Sequence, residues 1–353
     1  MKIDPELIPK IKMIAPGTLM RRALDDIIMA DFGALIVFLD QIKSQETILQ
    51  GGFYLGTSFS PEKLYELAKM DGAIILDESV SRILAANVQL SPDPSLPTNA
   101  TGMRHRAAER MARQTSKFVL TISRRRRVIT LYYKNFKHQI GDINTLIARI
   151  SQTMQTVERY KAVLDNKALK IERDEFLDRV QLIQVTELIN DCIGILNLLL
   201  EIEPYVHETG TEGRLPLMRL ASIKADVETM MHLFIRDYSF EICDEPEAAN
   251  TTEELKTVKP NDFEKIAELL GWISVGEANL YDLLVNPRGY RLLKQVAKIP
   301  PVTADKVVEQ YGNFANLSAA NEENLMEVDG IGEKRARSII DGIHHMRNRS
   351  VYR

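Results

Sequence analysis

The residue types best suited to chemistry are concentrated in residues 101–110, which read TGMRHRAAER. A Thr-Gly pair follows a proline-rich loop and precedes good helix formers, which predicts a helix N-terminus capped by Thr101 or a neighbour. Three arginines and His105 fall in the first turns, where free backbone N–H groups and the helix dipole already favour an anion. The stretch predicts a site for a polyanion, and a solvated basic helix face is the alternative interpretation.

Two further groups of residues could complete such a site. Asp71, Gly72 and Ala73 begin a predicted strand, where a carboxylate can be held over a pocket and a glycine lets a ligand approach the backbone. Ser123 ends another predicted strand and is followed by four arginines, residues 124–127. Taken singly, these pieces also fit a capping aspartate in a turn and a surface arginine loop.

One carboxylate beside a group of cations suggests metal-assisted nucleotidyl transfer. Asp71 would bind a divalent ion and help to activate an attacking hydroxyl, while the arginines offset the charge of a triphosphate. The sequence contains neither a Walker A lysine motif nor a Rossmann glycine fingerprint, so the common nucleotide-binding folds are not indicated.

The distribution of charge supports an anionic ligand. The net charge is −4, yet residues 103–137 hold 11 Lys and Arg against one acidic residue. Residues 138–286 hold 14 basic and 27 acidic residues, and residues 287–353 hold 11 and 8. A strongly basic block inside an otherwise acidic protein indicates an anionic ligand more firmly than the overall balance does.

A second motif lies near the C-terminus. Residues 328–332 read VDGIG and precede a basic helix, which resembles the helix-hairpin-helix motif. Two glycines there allow a tight turn whose backbone N–H groups hold a DNA phosphate, and residues 299–303 (IPPVT) look like a degenerate first copy. A glycine-containing turn between packed helices is the alternative. The residues expected to bind DNA are Gly330, Ile331, Gly332, Lys334 and Arg335.

The remaining sequence predicts the elements that position these groups. Helical patterns over residues 1–30 and 60–69 alternate with apolar runs that predict strands; the runs are 34–39, 73–76, 82–90, 118–123 and 128–132. The interleaved pattern predicts an α/β domain with a mixed sheet over residues 1–140. From residue 141 to 286, helical spacing predicts an all-α linker bundle, with the Glu-, Asp-, Thr- and Pro-rich segment 244–262 as a mobile connection. Residues 287–353 form the predicted helix-hairpin-helix domain, so the fold class is α+β and multidomain.

Composition excludes several classes of protein. The 353 residues suggest two or three domains, no apolar run approaches the ~18 residues that span a bilayer, and residues 1–5 lack a signal-peptide core. Two cysteines, Cys192 and Cys243, make neither a disulfide framework nor a metal cluster. We expect a cytoplasmic protein with no membrane partner.

Residues 69–74 (KMDGAI) and 102–106 (GMRHR) resemble the diadenylate cyclase family through its DGA and RHR motifs. With its helical middle and helix-hairpin-helix end, the whole chain is similar to the bacterial DNA integrity scanning family. The resemblance implies an enzyme that joins two ATP molecules into cyclic di-3′,5′-AMP with loss of two pyrophosphates, using Mg²⁺ or Mn²⁺. It also implies a nucleoid-associated homo-octamer with paired cyclase domains, in which branched DNA lowers cyclase activity.

The resemblance also implies roles for single residues. Asp71 would be the metal-binding and catalytic carboxylate, and Arg104, His105 and Arg106 the other catalytic residues, with His105 interpreted as a hydrogen-bond donor. Many relatives have threonine in place of Ala107, so one phosphate contact is lost here. A non-catalytic ATP-sensing DNA-binding scaffold is the alternative function, and a repair nuclease or ligase is a third. The residues expected to hold ATP are Gly72, Leu90, Met103, Arg104, His105, Arg106, Ala107 and Ser123.

Overall fold

The structure is a computed structural model that describes residues 6–45, 47–272, 279–297 and 299–351. The first five residues of the predicted helical region 1–30 lie outside the described residues. The chain divides into two compact units, Met1–Ser151 with Ile202–Met218, and Gln152–Glu201 with Arg219–Arg353. These divisions fall inside long helices, and the predicted domain ranges 1–140, 141–286 and 287–353 stay predictions.

The described residues form helices and strands in the following order. The strands are β1 (Ala34–Phe38), β2 (Leu49–Gln50), β3 (Phe53–Ser58), β4 (Ala73–Leu76), β5 (Arg82–Leu90), β6 (Val119–Ser123), β7 (Val128–Tyr133) and β8 (Phe136–Gln139). The N-terminal helices are α1 (Leu7–Met13), α2 (Leu19–Met29), α3 (Pro61–Leu67) and α4 (Met103–Thr115). The later helices are α5 (Ile143–Glu175), α6 (Leu182–Glu208), α7 (Arg214–Tyr238), α8 (Glu245–Leu255), α9 (Phe263–Leu269), α10 (Tyr290–Ala297), α11 (Pro301–Tyr311), α12 (Phe314–Ser318), α13 (Glu322–Met326) and α14 (Glu333–Val351).

The strands form one mixed sheet in the order β2-β5-β4-β1-β6-β7-β8, with β3 paired to β5 beside that path. β1 runs parallel to β4, with Ile36 opposite Ile74, and antiparallel to β6, with Ile36 opposite Leu120. The mixed sheet predicted for the N-terminal region is therefore confirmed.

The central strand β1 is buried on both faces because successive side chains point to opposite sides of the sheet. Ile36 and Phe38 pack into a cluster that includes Leu64 of α3 and residues of α2. Leu35 and Val37 pack into a second cluster that includes α4. Helices therefore cover both faces, and the continuous apolar run that predicted β1 reflects this two-sided burial.

Three strands were not predicted from the sequence. β3 is exposed along almost its whole length and contains a glycine, so it shows neither an apolar run nor an alternating pattern. β2 has only two residues, and β8 alternates between half-buried and exposed side chains over four residues. Gly51 and Gly52 separate β2 from β3.

The helix α6 is an exception to the expectation that no apolar run approaches the length needed to span a bilayer. Among the described helices it is long and apolar enough to cross a bilayer, although 61% of its most apolar window is buried inside the structure. Burial of this extent marks a core helix, and its Cys192 is buried and unpaired. Its apolar character therefore reflects packing within the protein.

The prediction of a mobile connection at residues 244–262 is wrong over most of that range. Residues Glu245–Leu255 form α8, which begins with a capping box between Asp244 and Glu247. The Asp244 carboxylate accepts from the backbone N–H of Glu247 at 2.8 Å, and Glu247 accepts from the N–H of Asp244 at 3.2 Å. The acidic and proline residues taken as signs of disorder are a helix start signal.

The last five described helices share one apolar core. Val328, which precedes the C-terminal glycine turn, and Ile331, which lies between its two glycines, are buried in it together with Val307 of α11 and Ile339 of α14. The carboxylate of Asp237 in α7 accepts from the backbone N–H groups of Gly289 and Tyr290 at 2.8 and 2.6 Å, at the start of α10. A buried acidic side chain thus caps the first of these helices.

Gly72 lies where β4 and β5 come unusually close. Its φ is +89°, and a Cβ atom there would stand 2.8 Å from the backbone carbon of Asn87 and 3.0 Å from the backbone of Val88. The register of β4 and β5 shifts by one residue between the Ala73 and Ile75 pairs, and Asn87 has a φ of +55° within this bulge. The glycine is therefore required by the sheet itself, in addition to any role beside a ligand.

We predict that Gly72→Ala lowers the free energy of unfolding by about 2 kcal/mol or more, because it adds a backbone collision to an unfavourable φ. Gly51→Ala is the matched control: Gly51 has a φ of +65° but nothing within 4 Å of its Cβ position, so we expect a loss of about 1 kcal/mol. Urea unfolding followed by circular dichroism measures both. Equal losses in the two variants would contradict the close approach described here.

Candidate active site and nucleic-acid interface

One edge of the mixed sheet carries most of the predicted site. β4 and β6 run in opposite directions, so the start of β4 and the end of β6 meet at this edge, where α4 also begins. A cleft of ≈ 610 Å³ opens there. Its lining residues are Asp71, Gly72, Gly102, Met103, Arg104, His105, Ile122, Ser123 and Arg124.

Asp71 projects into this cleft from the turn before β4. Its side chain is 98% exposed, and its Oδ1 accepts from the Arg104 guanidinium at 3.2 Å. The structure therefore brings the predicted metal ligand next to a predicted phosphate ligand, 33 residues away in sequence. An exposed carboxylate beside a cation can exchange that partner for a metal ion when phosphates bind the guanidinium.

The residues present fit a metal ion that arrives with a nucleotide. Among the described residues, no group of three or more His, Cys, Asp or Glu side chains could hold a metal. Mg²⁺ commonly binds through one or two carboxylates together with substrate phosphates, and keeps several waters. Asp71 alone meets that requirement, whereas it could not form a site made of protein ligands only.

The start of α4 differs from the expected cap. The N-cap is Gly102, with a φ of +95° and no side-chain hydrogen bond, and Thr101 lies one residue too early to cap the helix. The first helical bond is donated by the backbone N–H of Arg106 to the carbonyl of Gly102 at 3.1 Å. The helix therefore leaves the N–H groups of its first turn without a side-chain acceptor, as an anion site requires.

The basic residues of α4 divide into two groups. Arg110 donates to the carbonyl of Leu96 at 2.9 Å, and Arg113 donates to the carbonyl of Pro97 at 2.7 Å. These bonds attach the proline-rich loop to the helix. The sequence placed Arg110 at the predicted anion site, but in the structure its side chain holds this loop instead. Arg106, by contrast, is exposed on the first turn.

Gly33 was missed from the sequence, although it shapes the cleft. A Cβ atom at this position would lie 3.0 Å from Nη1 of Arg104 and 3.1 Å from the carbonyl of Ile122. Gly33 precedes β1 at the same edge of the sheet, so its small size leaves room for the guanidinium. The only sequence signal is a glycine directly before a buried strand.

A second, basic cleft of ≈ 410 Å³ adjoins the first and shares Gly102, His105 and Ser123 with it. Arg125 and Arg126 line it from the β6–β7 turn, and Lys137 lines it from β8; the lining includes no acidic side chain. The fourth arginine of the run, Arg127, instead pairs with Asp31 at 2.7 Å. Three of the four arginines therefore remain at the clefts.

Three other residues predicted to hold ATP differ in how close they lie to the clefts. The hydroxyl oxygen of Ser123 accepts from the backbone N–H of Arg126 at 3.3 Å and lines both clefts. Ala107 is half-buried in the second turn of α4. Leu90 pairs with Leu49 at the end of β5 and packs against the cluster beneath α4, and it does not line either cleft. The nucleotide contacts of Leu90 and Ala107 stay predictions.

His105 lines both clefts, and two buried hydroxyl groups lie within hydrogen-bond distance of its ring. Its Nδ1 lies 2.9 Å from the hydroxyl of Tyr132 and 3.0 Å from that of Thr121. Burial lowers the pKa of His105, and the positive charges of Lys137 and Arg126 lower it further. Tyr132 and Thr121 were also missed from the sequence, where both are unremarkable strand residues.

The C-terminal turn has the geometry that its glycines predicted. Gly330 has a φ of +92° and a Cβ atom there would lie 3.3 Å from Thr303 of α11, while Gly332 directly precedes α14. Ile331 is buried, so it anchors the turn and is not exposed to a ligand. Arg335 donates to the carbonyl of Gly330 at 2.6 Å, so it also stabilises the turn.

The first copy of the motif is much poorer in backbone donors. Pro300 and Pro301 have no N–H group, and the N–H groups of Thr303 and Ala304 both bond the carbonyl of Pro300 at 3.0 Å. Lys306 of this copy pairs with Asp329 in the second turn at 2.5 Å. Of the two copies, the glycine turn is therefore the better candidate for a phosphate site.

Comparison with protein families matches the three regions in the predicted order. Residues 21–136 match the family described as "DisA bacterial checkpoint controller nucleotide-binding", and residues 140–279 match its "linker region". Residues 290–344 match a "SAM-like Helix-hairpin-helix tandem". The chain belongs to the DisA family. The predicted fold class, with a mixed-sheet cyclase-type domain, a helical linker and a helix-hairpin-helix domain, is confirmed.

Curated relatives cover nearly the whole chain. The DNA integrity scanning protein DisA of Thermotoga maritima is 45% identical over 349 residues, which are 99% of this chain and 98% of the relative. The protein of the same name from Carboxydothermus hydrogenoformans is 41% identical over 352 residues, covering 99% of both chains. That of Bacillus mycoides is 38% identical over 340 residues, covering 96% and 94%. The chain thus carries the nucleotide-binding and helix-hairpin-helix domains of the DisA family.

We predict that Arg110→Ala lowers the free energy of unfolding by about 1 kcal/mol, since it removes the bond to the Leu96 carbonyl. Arg106→Ala, an exposed residue on the same helix, should change it by no more than about 0.5 kcal/mol. Proteinase K should cut the proline-rich loop faster in the first variant only. Equal cleavage rates in both variants would show that the loop is held by other contacts.

Proposed function

We propose that this chain is a diadenylate cyclase that converts two ATP molecules into cyclic di-3′,5′-AMP and two pyrophosphates. The observation that supports it best is the pairing of the exposed Asp71 carboxylate with Arg104 at an uncapped helix N-terminus. One carboxylate, several cations and free backbone N–H groups around one cleft are the groups that metal-assisted nucleotidyl transfer requires. Membership of the DisA family adds support for this activity.

Different groups of the site would bind the triphosphate and the metal ion. The N–H groups at the start of α4, together with Arg104 and Arg106, bind the triphosphate and stabilise the charge that develops on the leaving pyrophosphate. The hydroxyl of Ser123 and the arginines of the β6–β7 turn extend this contact. Asp71 would hold a Mg²⁺ or Mn²⁺ ion, which polarises the phosphate oxygens and favours deprotonation of the attacking hydroxyl.

The product requires two copies of the site. Cyclic di-AMP contains two equivalent phosphodiester bonds, and each forms when a 3′-oxygen displaces pyrophosphate from an α-phosphate as its proton leaves. Among the described residues, Asp71 lies in one cleft per chain, so we infer that two domains face each other and place each 3′-hydroxyl in line with the other ATP. A homo-octamer with paired domains would satisfy this requirement.

We propose that the C-terminal domain binds branched DNA through its backbone and that bound DNA lowers cyclase activity, which fits a cytoplasmic, nucleoid-associated protein. The contacts expected are Gly330, Gly332 and Lys334, with Arg335 shared between the turn and DNA. Such binding is largely independent of sequence and sensitive to salt.

The decisive experiment is product formation from ATP with Mg²⁺ or Mn²⁺, followed by chromatography. We expect Asp71→Asn to lower the rate by about 100-fold or more, because it removes the metal-binding charge. Glu62→Gln, an exposed carboxylate on α3 that does not line the cleft, should keep the wild-type rate.

No product from folded wild-type protein would favour the ATP-sensing scaffold. In that case Ala107→Thr tests whether the missing hydroxyl is the cause: recovered product restores the cyclase proposal, and continued absence contradicts it. Four-way-junction DNA added to the active enzyme tests the regulation separately.

We predict that Lys334→Ala weakens DNA binding to a similar extent for all sequences and reduces the slope of log K against log salt by about 1. Lys265→Ala on α9, outside the glycine turn, is the control and should change neither quantity. Fluorescence anisotropy with labelled junction and duplex DNA at several salt concentrations measures both. An unchanged slope in Lys334→Ala would exclude that lysine as a phosphate contact.

A further inference from the structure

The inner side of His105 is held by two buried hydroxyl groups. Tyr132 is 1% exposed and Thr121 is 0% exposed, and they lie on the neighbouring strands β7 and β6. Both hydroxyl oxygens lie within hydrogen-bond distance of Nδ1, at 2.9 and 3.0 Å. Within the described part of the chain, Nε2 of the same ring has no hydrogen-bond partner.

The protons of these hydroxyls decide which ring nitrogen of His105 is protonated. Buried hydroxyl groups need an acceptor for their proton. Outside this group of three side chains, neither hydroxyl has another hydrogen-bond partner among the described residues. If Nδ1 carried a proton, it could accept from neither hydroxyl. If Nδ1 is unprotonated, its lone pair is the acceptor that these two hydroxyls face.

The surrounding charges favour the same state. Burial, together with the charges of Lys137 and Arg126, lowers the pKa of His105 and so favours the neutral ring. Burial and the nearby charge of Glu109 raise the pKa of Tyr132 to about 12, so its hydroxyl keeps the proton that it donates. Glu109 is itself bonded to Thr98 and Arg113 and does not reach the ring.

We propose that Tyr132 and Thr121 are positioning residues that hold His105 as a neutral imidazole with an accepting Nδ1 and a protonated Nε2. Nε2 is then a fixed hydrogen-bond donor between the two clefts. In this state the ring cannot remove a proton from a ribose hydroxyl through Nε2, so His105 binds a phosphate oxygen. The last step rests on the proposed cyclase function, while the protonation state does not.

Solid-state ¹⁵N NMR of the full chain, labelled at histidine, tests the protonation state without substrate. The chain has 6 histidines, so the His105 signals are those that disappear in His105→Gln. We expect an unprotonated Nδ1 and a protonated Nε2 at pH 7. A protonated Nδ1 would overturn the proposal whether or not the protein is a cyclase.

The Tyr132→Phe variant tests which residue fixes the ring. We expect the Nδ1 signal of His105 to move and kcat/KM for ATP to fall by roughly 3- to 10-fold, the loss of about one hydrogen bond. Tyr133→Phe is the matched control, because its hydroxyl bonds Glu6 and not the site. Thr121→Ser should keep both the signal and the rate, since it keeps the hydroxyl. An unchanged Nδ1 signal in a folded Tyr132→Phe protein would contradict the proposal.

Discussion

The packing of α4 on the sheet is the constraint on which the candidate site depends. Ala108 and Ala112 are completely buried, and these small side chains let the helix lie close to the strands beneath it. The face that carries them and Met111 fixes the helix along its length, so its first turn has a defined position. Arg104 and His105 are thereby placed beside the ends of strands that are distant in sequence. A larger residue at either alanine would move the ligand-binding end together with the core.

The edge of the sheet brings the rest of the site together through strand direction. Gly33 precedes β1 and Asp71 precedes β4, and these strands are parallel. Ser123 ends β6, which runs the other way, so all three residues reach the same edge. The motifs indicated that these residues belong to one site, but they could not show at which edge of the sheet the site lies, because that depends on which strands pair.

The sequence predicted those elements whose burial leaves a strong pattern. The apolar runs at β1 and β4 were correct because both strands are covered on two faces, whereas the exposed β3 left no pattern to detect. Segment 244–262 was misinterpreted because composition was weighed above the Asp244–Glu247 capping pattern. At the site, Asp71 and Arg104 were predicted as neighbours from motifs, but the supporting roles of Gly33 and Tyr132 are set by tertiary contacts only.

The basic block of residues 103–137 separates into structural and available charges. Five of its cations are engaged inside the domain: Arg110, Arg113, Lys117, Arg127 and Lys134. Five others line the two clefts: Arg104, Arg124, Arg125, Arg126 and Lys137. The eleventh, Arg106, is exposed on the first turn of α4. Among the described residues that line these clefts, Asp71 is the only acidic one. Such a surface gathers small anions from solution whenever no nucleotide is bound. Buffer anions therefore compete with a nucleotide for these clefts, and the affinity measured for the nucleotide depends on which anions it has to displace.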